Sequence, residues 1–258
     1  MATCSMNEDS AEINDPGAAP YGNFINYYTF NPPENRLSLI PNTLLQDLSP
    51  SGGRTTLILD VGCNSGDLSV AFYKHLVQKP LCGEGSERSN VHLLGFDLDE
   101  VLIQQAQQTN PLPDNISFIP LDITTDVNQL HDYLSQHSCS HFHLSLCLAV
   151  TMWVHLNHGD SGLLQLLSRL ASISQHLLLE AQPWKCYRSA ARRLRKLGRS
   201  DFEHFKTLKI RGDIAEHARE HLEKHCGMEL IQSLGSTAWD RKLLLFRRKV
   251  LCSSAAGR

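Results

Sequence analysis

Short apolar runs alternate along most of the chain with segments whose apolar residues recur at helical spacing. Five runs have the length and composition of buried strands: TLILDVG (56–62), VHLLGFD (91–97), ISFIPLD (116–122), HFHLSLCLAV (141–150) and HLLLE (176–180). A segment of helical periodicity follows each run, as in DLSVAFYKHL (67–76), where Leu68, Phe72 and Leu76 share a face. The pattern predicts alternating strands and helices.

This alternation is typical of an α/β fold with a mostly parallel sheet and helices on both faces. The end of the chain departs from it, because two apolar runs at 227–234 and 241–248 are separated only by a short turn. Since no helix fits between them, they predict an antiparallel hairpin at the edge of a seven-stranded sheet.

The same pattern predicts a single domain at 20–250. Residues 1–19 contain four acids and little to bury, so they are predicted to form a disordered tail, and 251–258 a short C-terminal tail. Residues 20–45 are predicted to form an N-terminal flap, which begins with five aromatic residues between Tyr21 and Phe30. We expect this flap to cover a ligand and exclude water.

The charged residues are unevenly distributed, with one strongly basic segment. The chain has 24 Lys and Arg against 27 Asp and Glu, yet residues 183–199 carry seven cations and no acid. Such a local basic segment favours a specific anionic partner. On a helix, four of the cations form one stripe: Arg188, Arg192, Arg195 and Arg199. The stripe suits nucleic-acid phosphates, although a merely solvated cationic face has the same pattern.

Cysteine usage and hydropathy indicate the compartment. The eight cysteines form no CxxC pair and no secretory signal pattern precedes them, which predicts free thiols in a reducing compartment. The longest apolar run, at 144–150, is too short to cross a bilayer. We expect a cytoplasmic monomer without a membrane partner. His217, His221 and His225 recur every four residues, but no metal site is predicted because no Cys or acid completes one.

The first candidate ligand-binding residues lie at the end of the first predicted strand. Asp60, Gly62 and Gly66 have the spacing D-x-G-x-x-x-G, at the place where α/β sheets bind ligands. Asn64 stands where a dinucleotide-binding turn has its second glycine, and Asp60 would repel a pyrophosphate. An acid there suits a cation such as the ammonium of a methionine moiety, so the turn favours S-adenosylmethionine.

Acids also end the next two predicted strands. Asp97 can accept hydrogen bonds from ribose hydroxyls, and Asp122 is placed to meet an adenine amino group, with Ile123 against the ring. Any one of these acids alone is better explained as a helix cap or turn residue. Acids at three successive strand ends, together with the glycine turn, favour the cofactor site.

Several segments together resemble one family: DVGCNSGDLS (60–69), YGNFINYY (21–28) with PPENRL (32–37), VTMWVHLNHGD (150–160), EAQPWKCYR (180–188) and STAWDRKLLLFRR (236–248). They are similar to the bicoid-interacting-three family of RNA methyltransferases, over about residues 20–249. One departure is Ala181, where relatives have proline; it removes no functional group.

The resemblance implies a Rossmann-like, class I S-adenosylmethionine-dependent methyltransferase that modifies the 5'-terminal monophosphate of RNA and so masks its charge. Histidine transfer RNA and precursor microRNA are the implied substrates. Cofactor contacts carried over by position are Arg36, Asn64, Asp97, Asp122 and Ile123, and Leu98 and Leu148 are counted with the predicted cofactor-binding residues. For Arg36, charge agrees, because a guanidinium can hold the methionine carboxylate.

A 5'-monophosphate is mostly a dianion at neutral pH, so the reaction needs no general base and depends on orientation. We expect Lys185 and Arg192 to clamp the phosphate, with Tyr28 assisting. His155 fits either a bond to the phosphate or ribose, or a structural role. Two other functions stay open: a methyltransferase acting on a small molecule or protein, and a non-catalytic RNA-binding module. The basic helix argues against the first, and the intact acid set against the second.

Overall fold

The computed structural model describes residues 19–24, 27–48, 55–77, 90–125 and 127–249. The predicted tails therefore lie outside the described residues, apart from Ala19. Within the described ranges there are seven strands: β1 (Thr55–Val61), β2 (Asn90–Asp97), β3 (Ile116–Pro120), β4 (Phe142–Leu148), β5 (Ser174–Glu180), β6 (Met228–Ser236) and β7 (Lys242–Arg248). They form one sheet in the order β3-β2-β1-β4-β5-β7-β6.

The pairing confirms the predicted topology. Strands β1 to β5 pair in parallel, whereas β7 is antiparallel to both β5 and β6. Because β7 runs the other way, its beginning lies beside the end of β5, where Glu180 pairs with Leu243. Residues just before β7 therefore reach the edge of the sheet at which the parallel strands end.

Helices cover both faces of the sheet. Those in the described ranges are α1 (Tyr27–Phe30), α2 (Glu34–Leu37), α3 (Leu44–Leu48), α4 (Asp67–Val77), α5 (Glu100–Thr109), α6 (Asn128–Gln136), α7 (Thr151–Ile173), α8 (Trp184–Lys196) and α9 (Ile214–His225). Alternate residues of β1 enter different apolar layers: Leu57 and Leu59 pack on one side and Ile58 on the other, all fully buried. Each such side chain contributes roughly 1.5–3 kcal/mol by leaving water.

Helix α7 begins earlier than the apolar periodicity predicts. Its helical residues start at Thr151 and continue after a break at Gly159, where φ is 70° and ψ is −172°. The side-chain oxygen of Gln182 accepts hydrogen bonds from the Thr151 hydroxyl and the Met152 N–H, both at 3.1 Å. Since Gln182 follows β5, the beginning of α7 is fixed by a distant residue of the chain.

Candidate active site

A cavity of about 500 Å³ lies at the carboxyl ends of the parallel strands. We call it the acidic cavity, because four carboxylates line it: Asp60, Asp97, Asp99 and Asp122. Of the ten predicted cofactor-binding residues, nine line this cavity: Arg36, Asp60, Gly62, Asn64, Asp97, Leu98, Asp122, Ile123 and Leu148. The tenth is Gly66, which the cavity wall does not include.

The turn after β1 forms the floor of the acidic cavity. Gly62 and Asn64 both have positive φ, 69° and 52°, and a Cβ on Gly62 would lie 2.6 Å from Val150 Cγ2. The Asn64 N–H donates to Asp97 Oδ2 at 2.9 Å, which joins the turn to the end of β2. Gly66 has a packing role instead, since a Cβ there would meet the ring of Phe118 at 2.6 Å.

Asp60 is the most deeply buried acid of the cavity, with 2% of its surface exposed. Its Oδ2 accepts a 2.6 Å hydrogen bond from the Ser69 hydroxyl. Burial raises the pKa of Asp60 to about 7, although the Ser69 hydrogen bond and the charge of Arg36 act in the opposite direction. A cationic ligand beside this carboxylate would favour its ionised form.

The other three acids combine a structural role with a place in the cavity wall. Asp97 accepts from Asp99 N–H at 3.1 Å; Asp99 caps α5 and accepts from the side-chain amide of Asn23 at 2.8 Å. Asp122 accepts from the N–H and hydroxyl of Thr124 at 2.8 and 2.7 Å. Sequence reasoning missed Asp99, although the capping position before α5 was a visible signal.

Arg36 lies between the acidic cavity and the body of the protein, with none of its surface exposed. Its Nε and Nη2 donate to the carboxylate of Glu180 at 2.5 and 3.3 Å, and Nη2 also donates to Tyr27 Oη at 2.9 Å. Its Nη1 is buried without a hydrogen-bond partner among the described residues. A buried guanidinium with one unpaired donor at a cavity wall suits an anionic group of a ligand.

The N-terminal segment lines the acidic cavity and is bonded to two parts of the chain, the turn after β1 and helix α7. The Phe24 carbonyl accepts from the side-chain amide of Asn64 at 3.2 Å, and the Pro20 carbonyl from that of Asn157 at 3.0 Å. The Tyr28 hydroxyl donates to the Cys63 carbonyl at 3.2 Å, and burial raises the pKa of Tyr28. Tyr28, predicted to assist the phosphate clamp, lines the acidic cavity and not the aromatic cavity described next.

A second cavity, of about 910 Å³, adjoins the first. We call it the aromatic cavity; its aromatic residues are Phe24, Tyr27, Phe30, Trp153 and Trp239, and its cations are Lys185, Arg193 and Arg241. Three residues line both cavities: Tyr27, Ala149 and Trp153. The two cavities thus meet at a common wall. Lys185, predicted to clamp the phosphate, lines the aromatic cavity, and its Nζ is 3.1 Å from Asp240 Oδ2 in an exposed ion pair.

The phase of α8 changes which arginine faces the aromatic cavity. The buried face of the helix consists of Tyr187, Ala190, Ala191 and Leu194. Arg193 borders that face and lies over the ring of Phe24, whereas Arg192 is exposed and lines neither cavity. The structure therefore places Arg193, and not the predicted Arg192, beside the second cavity. A residue one position further along a helix is rotated by 100°, which accounts for the difference.

The predicted stripe lies outside both cavities, and its fourth member, Arg199, is not on α8, because the helix ends at Lys196. Arg188, Arg192 and Arg195 are exposed, and none of them forms an ion pair with another described residue. Trp184 stacks on Tyr187 and Phe205 at centroid distances of 4.9 and 5.8 Å.

His155 lines neither of the two cavities and has no exposed surface. Its Nε2 is 2.7 Å from Asp160 Oδ1 and its Nδ1 is 3.0 Å from the Tyr187 hydroxyl. Burial lowers the pKa of His155, while Asp160 raises it. Of the two roles left open by the sequence, this geometry supports the structural one, because His155 joins α7 to α8.

The described ranges contain neither a metal-ligand cluster nor a helix able to span a membrane. No three His, Cys, Asp or Glu side chains converge there in a way that could hold a metal ion. The helices in the same ranges include none with the length and hydropathy to span a bilayer.

Known proteins place the chain in context. The family model described as "Bicoid-interacting protein 3 (Bin3)" matches residues 142–249. The chain is 68% identical over 246 residues to the "Pre-miRNA 5'-monophosphate methyltransferase" of Danio rerio, covering 93% of this chain and 97% of that protein. It is 49% identical over 250 residues to the "RNA 5'-monophosphate methyltransferase" of Homo sapiens, covering 94% and 85%.

A solved structure shares the fold. The N-methyltransferase NodS from Bradyrhizobium japonicum WM9, in complex with S-adenosyl-L-homocysteine, matches with a TM-score of 0.54 at 16% identity, over 92% of this chain and 100% of that one. The strand order and the cavity at the strand ends define the class I S-adenosylmethionine-dependent methyltransferase fold, as predicted. The chain belongs to the bicoid-interacting protein 3 family, given the match to the family model and its similarity to the Danio rerio and Homo sapiens proteins over nearly its whole length.

Proposed function

We propose that this protein transfers a methyl group from S-adenosylmethionine to the 5'-monophosphate of RNA. One observation carries the proposal: an acid-lined cavity and a cavity lined by cations and aromatic rings share the wall of Tyr27, Ala149 and Trp153. The first suits a cationic small molecule, and the second an anionic nucleotide. The relatives from Danio rerio and Homo sapiens are named as methyltransferases of such a 5'-monophosphate.

The residues of the acidic cavity fit S-adenosylmethionine. We assign Arg36, through its unpaired Nη1, to the methionine carboxylate and the buried Asp60 to the ammonium group. Asp97 is assigned to the ribose hydroxyls, and Asp122 with Ile123 to the adenine; Leu98 and Leu148 supply apolar wall. When bound, the cofactor supplies a methyl group on a positively charged sulfur, which an oxygen nucleophile accepts.

The aromatic cavity is the place for the RNA end. A 5'-monophosphate carries about −1.5 to −2 charges at pH 7, so its oxygen is already nucleophilic and the protein need not remove a proton. Lys185 and Arg193 are assigned to the non-reacting phosphate oxygens, and the rings of Phe24 and Trp153 to the first nucleotide. Holding the two reactants in line is the main catalytic contribution of such a site.

The exposed arginines of α8 continue the cationic surface beyond the cavity. Arg188, Arg192 and Arg195 have no acidic partner in the described part of the chain, so phosphates further along the RNA can bind them. We further propose precursor microRNA and histidine transfer RNA as substrates, and a cytoplasmic monomer as the active form. Methylation removes one negative charge, so proteins that bind a 5'-monophosphate through cations should hold the product less tightly.

The decisive experiment uses RNAs of one sequence that differ only at the 5' end. Labelled methyl transfer from S-adenosylmethionine should occur with a 5'-monophosphate and not with a 5'-hydroxyl; a 5'-triphosphate arm measures how far the site discriminates. Equal transfer to the hydroxyl form would refute the proposed nucleophile. Calorimetry with S-adenosylhomocysteine separates the remaining alternatives: binding without RNA methylation indicates another acceptor, and absence of binding indicates a non-catalytic RNA-binding module.

A further inference from the structure

A buried ion cluster lies where the two cavities meet. Glu180, at the end of β5, has no exposed surface and pairs with two guanidinium groups, those of Arg36 and Arg241. Arg241 Nη1 donates to Glu180 Oε1 at 2.9 Å. Two cations against one carboxylate leave the cluster with an excess positive charge in a poorly hydrated place. Such an excess is costly unless an anion compensates it.

The two arginines use different edges of their guanidinium groups on Glu180. Arg36 donates through Nε and Nη2, the side-on edge that matches two oxygens of one anion. Arg241 donates only through Nη1. Its Nε is buried and has no partner among the described residues, so its own side-on edge is unused.

Arg241 also has the position that an anion-binding residue needs. It lines the aromatic cavity and not the acidic one, and only 14% of its side chain is exposed. Its Cζ lies 5.6 Å from the ring centroid of Trp239, which also contacts Arg36 at 5.1 Å. Trp239 and Glu180 together hold the guanidinium plane, so little freedom is lost when an anion binds it.

Resting on the proposed function, we infer that Arg241 is a further binding residue for the 5'-terminal phosphate of the RNA, positioned by Glu180 and Trp239. A terminal monophosphate has three non-bridging oxygens. Arg241 binds two of them through Nε and Nη2, and the third remains for transfer. Lys185 and Arg193 line the same cavity, and Arg241 differs from them in being held by a fully buried carboxylate.

The test measures phosphate discrimination by binding, apart from turnover. Fluorescence anisotropy gives the Kd of a short RNA with a 5'-hydroxyl and with a 5'-monophosphate, both in the presence of S-adenosylhomocysteine. The wild type should bind the 5'-monophosphate more tightly, so the Kd of the 5'-hydroxyl RNA divided by that of the 5'-monophosphate RNA is well above one. In Arg241→Gln this ratio should fall about tenfold or more, because a charge-assisted pair with the phosphate is lost. Affinity for S-adenosylhomocysteine, measured by calorimetry, should change less than about threefold, because Arg241 does not line the acidic cavity.

Two further variants serve as a matched control and as a conservative substitution. Arg247→Gln is the matched control: Arg247 also pairs with a carboxylate, that of Glu229, but is 53% exposed at the other end of β7 and should leave the ratio unchanged. Arg241→Lys keeps the charge without the two-pronged edge, so its ratio should also fall; it decides the question if Arg241→Gln does not fold. A wild-type ratio in a folded Arg241 variant overturns the inference alone, whereas wild-type protein that transfers no methyl to 5'-monophosphate RNA overturns the proposed function.

Discussion

The guanidinium of Arg193 lies over the ring of Phe24, with 4.7 Å between Cζ and the ring centroid. This contact joins α8 to the N-terminal segment at the wall of the aromatic cavity. The sequence does not predict this contact, since 169 positions separate the two residues. The pair holds a cation beside an aromatic ring, at the place where a phosphate and a base would enter together.

Neighbouring arginines of α8 give a matched pair of variants. Arg193→Gln should lower kcat/KM for 5'-monophosphate RNA by about 10–100-fold, because it removes a charged contact of the cavity. Arg192→Gln removes an equal charge one position away and should cost less than about threefold, since Arg192 lines neither cavity. Steady-state kinetics with one short RNA measures both, and equal losses would contradict the assignment.

The buried Asp60 predicts a pH dependence of stability. Because burial raises its pKa to about 7 from 3.8, the folded state binds more protons than the unfolded state between these values. Stability should therefore decline as pH rises from about 4 to 7. Asp60→Asn keeps an acceptor for Ser69 but has no proton to lose, so its decline should be smaller, by on the order of 4 kcal/mol. Urea unfolding of both proteins across this range measures the difference; parallel curves would count against a raised pKa.

The exposed stripe of α8 predicts salt-sensitive binding of longer RNA. Replacing Arg188, Arg192 and Arg195 with Gln should weaken binding of a hairpin with a 5'-monophosphate and reduce its log–log salt slope by about 2–3. A 5'-phosphorylated trinucleotide should bind nearly as well as to the wild type, because the cavity is intact. Replacing Lys224 and Arg247, exposed cations elsewhere, is the control. An unchanged salt slope in the triple variant would show that these arginines do not contact RNA phosphates.

His155 should contribute to stability more than to chemistry. His155→Ala leaves a buried space and unpaired groups on Tyr187 and Asp160, which should cost about 2–4 kcal/mol of unfolding free energy. Turnover of the folded protein at low temperature should fall less than about tenfold. A loss of 10²-fold or more in kcat without a change in unfolding midpoint would instead indicate direct participation.

Much of this fold was predictable because its signals are local. The apolar run and the D-x-G-x-x-x-G spacing place Asp60 and Gly62 at the end of β1, and Asp97 ends β2 where the pattern predicted. These residues reach one edge of the sheet simply because parallel strands end together. The family resemblance added Arg36 to the same set, and Arg36 lines the acidic cavity.

What the sequence did not predict depends on rotation and distant pairing. Spacing along α8 identified a stripe, but only the buried Ala190, Ala191 and Leu194 show that Arg193 is next to the cavity. The beginning of α7 depends on Gln182, and the ion cluster on Glu180 meeting Arg36 across 144 positions. No periodic pattern reports such contacts, since they follow from the order of strands in the sheet.

The reversed direction of β7 has a consequence for how acceptor choice can diversify. Its leading turn, with Trp239 and Arg241, enters the aromatic cavity, while the turn that floors the acidic cavity is encoded far upstream. Insertions or exchanges in that leading turn can therefore alter which molecule receives the methyl group, and they reach the donor cavity through Arg36, which contacts both Trp239 and Glu180.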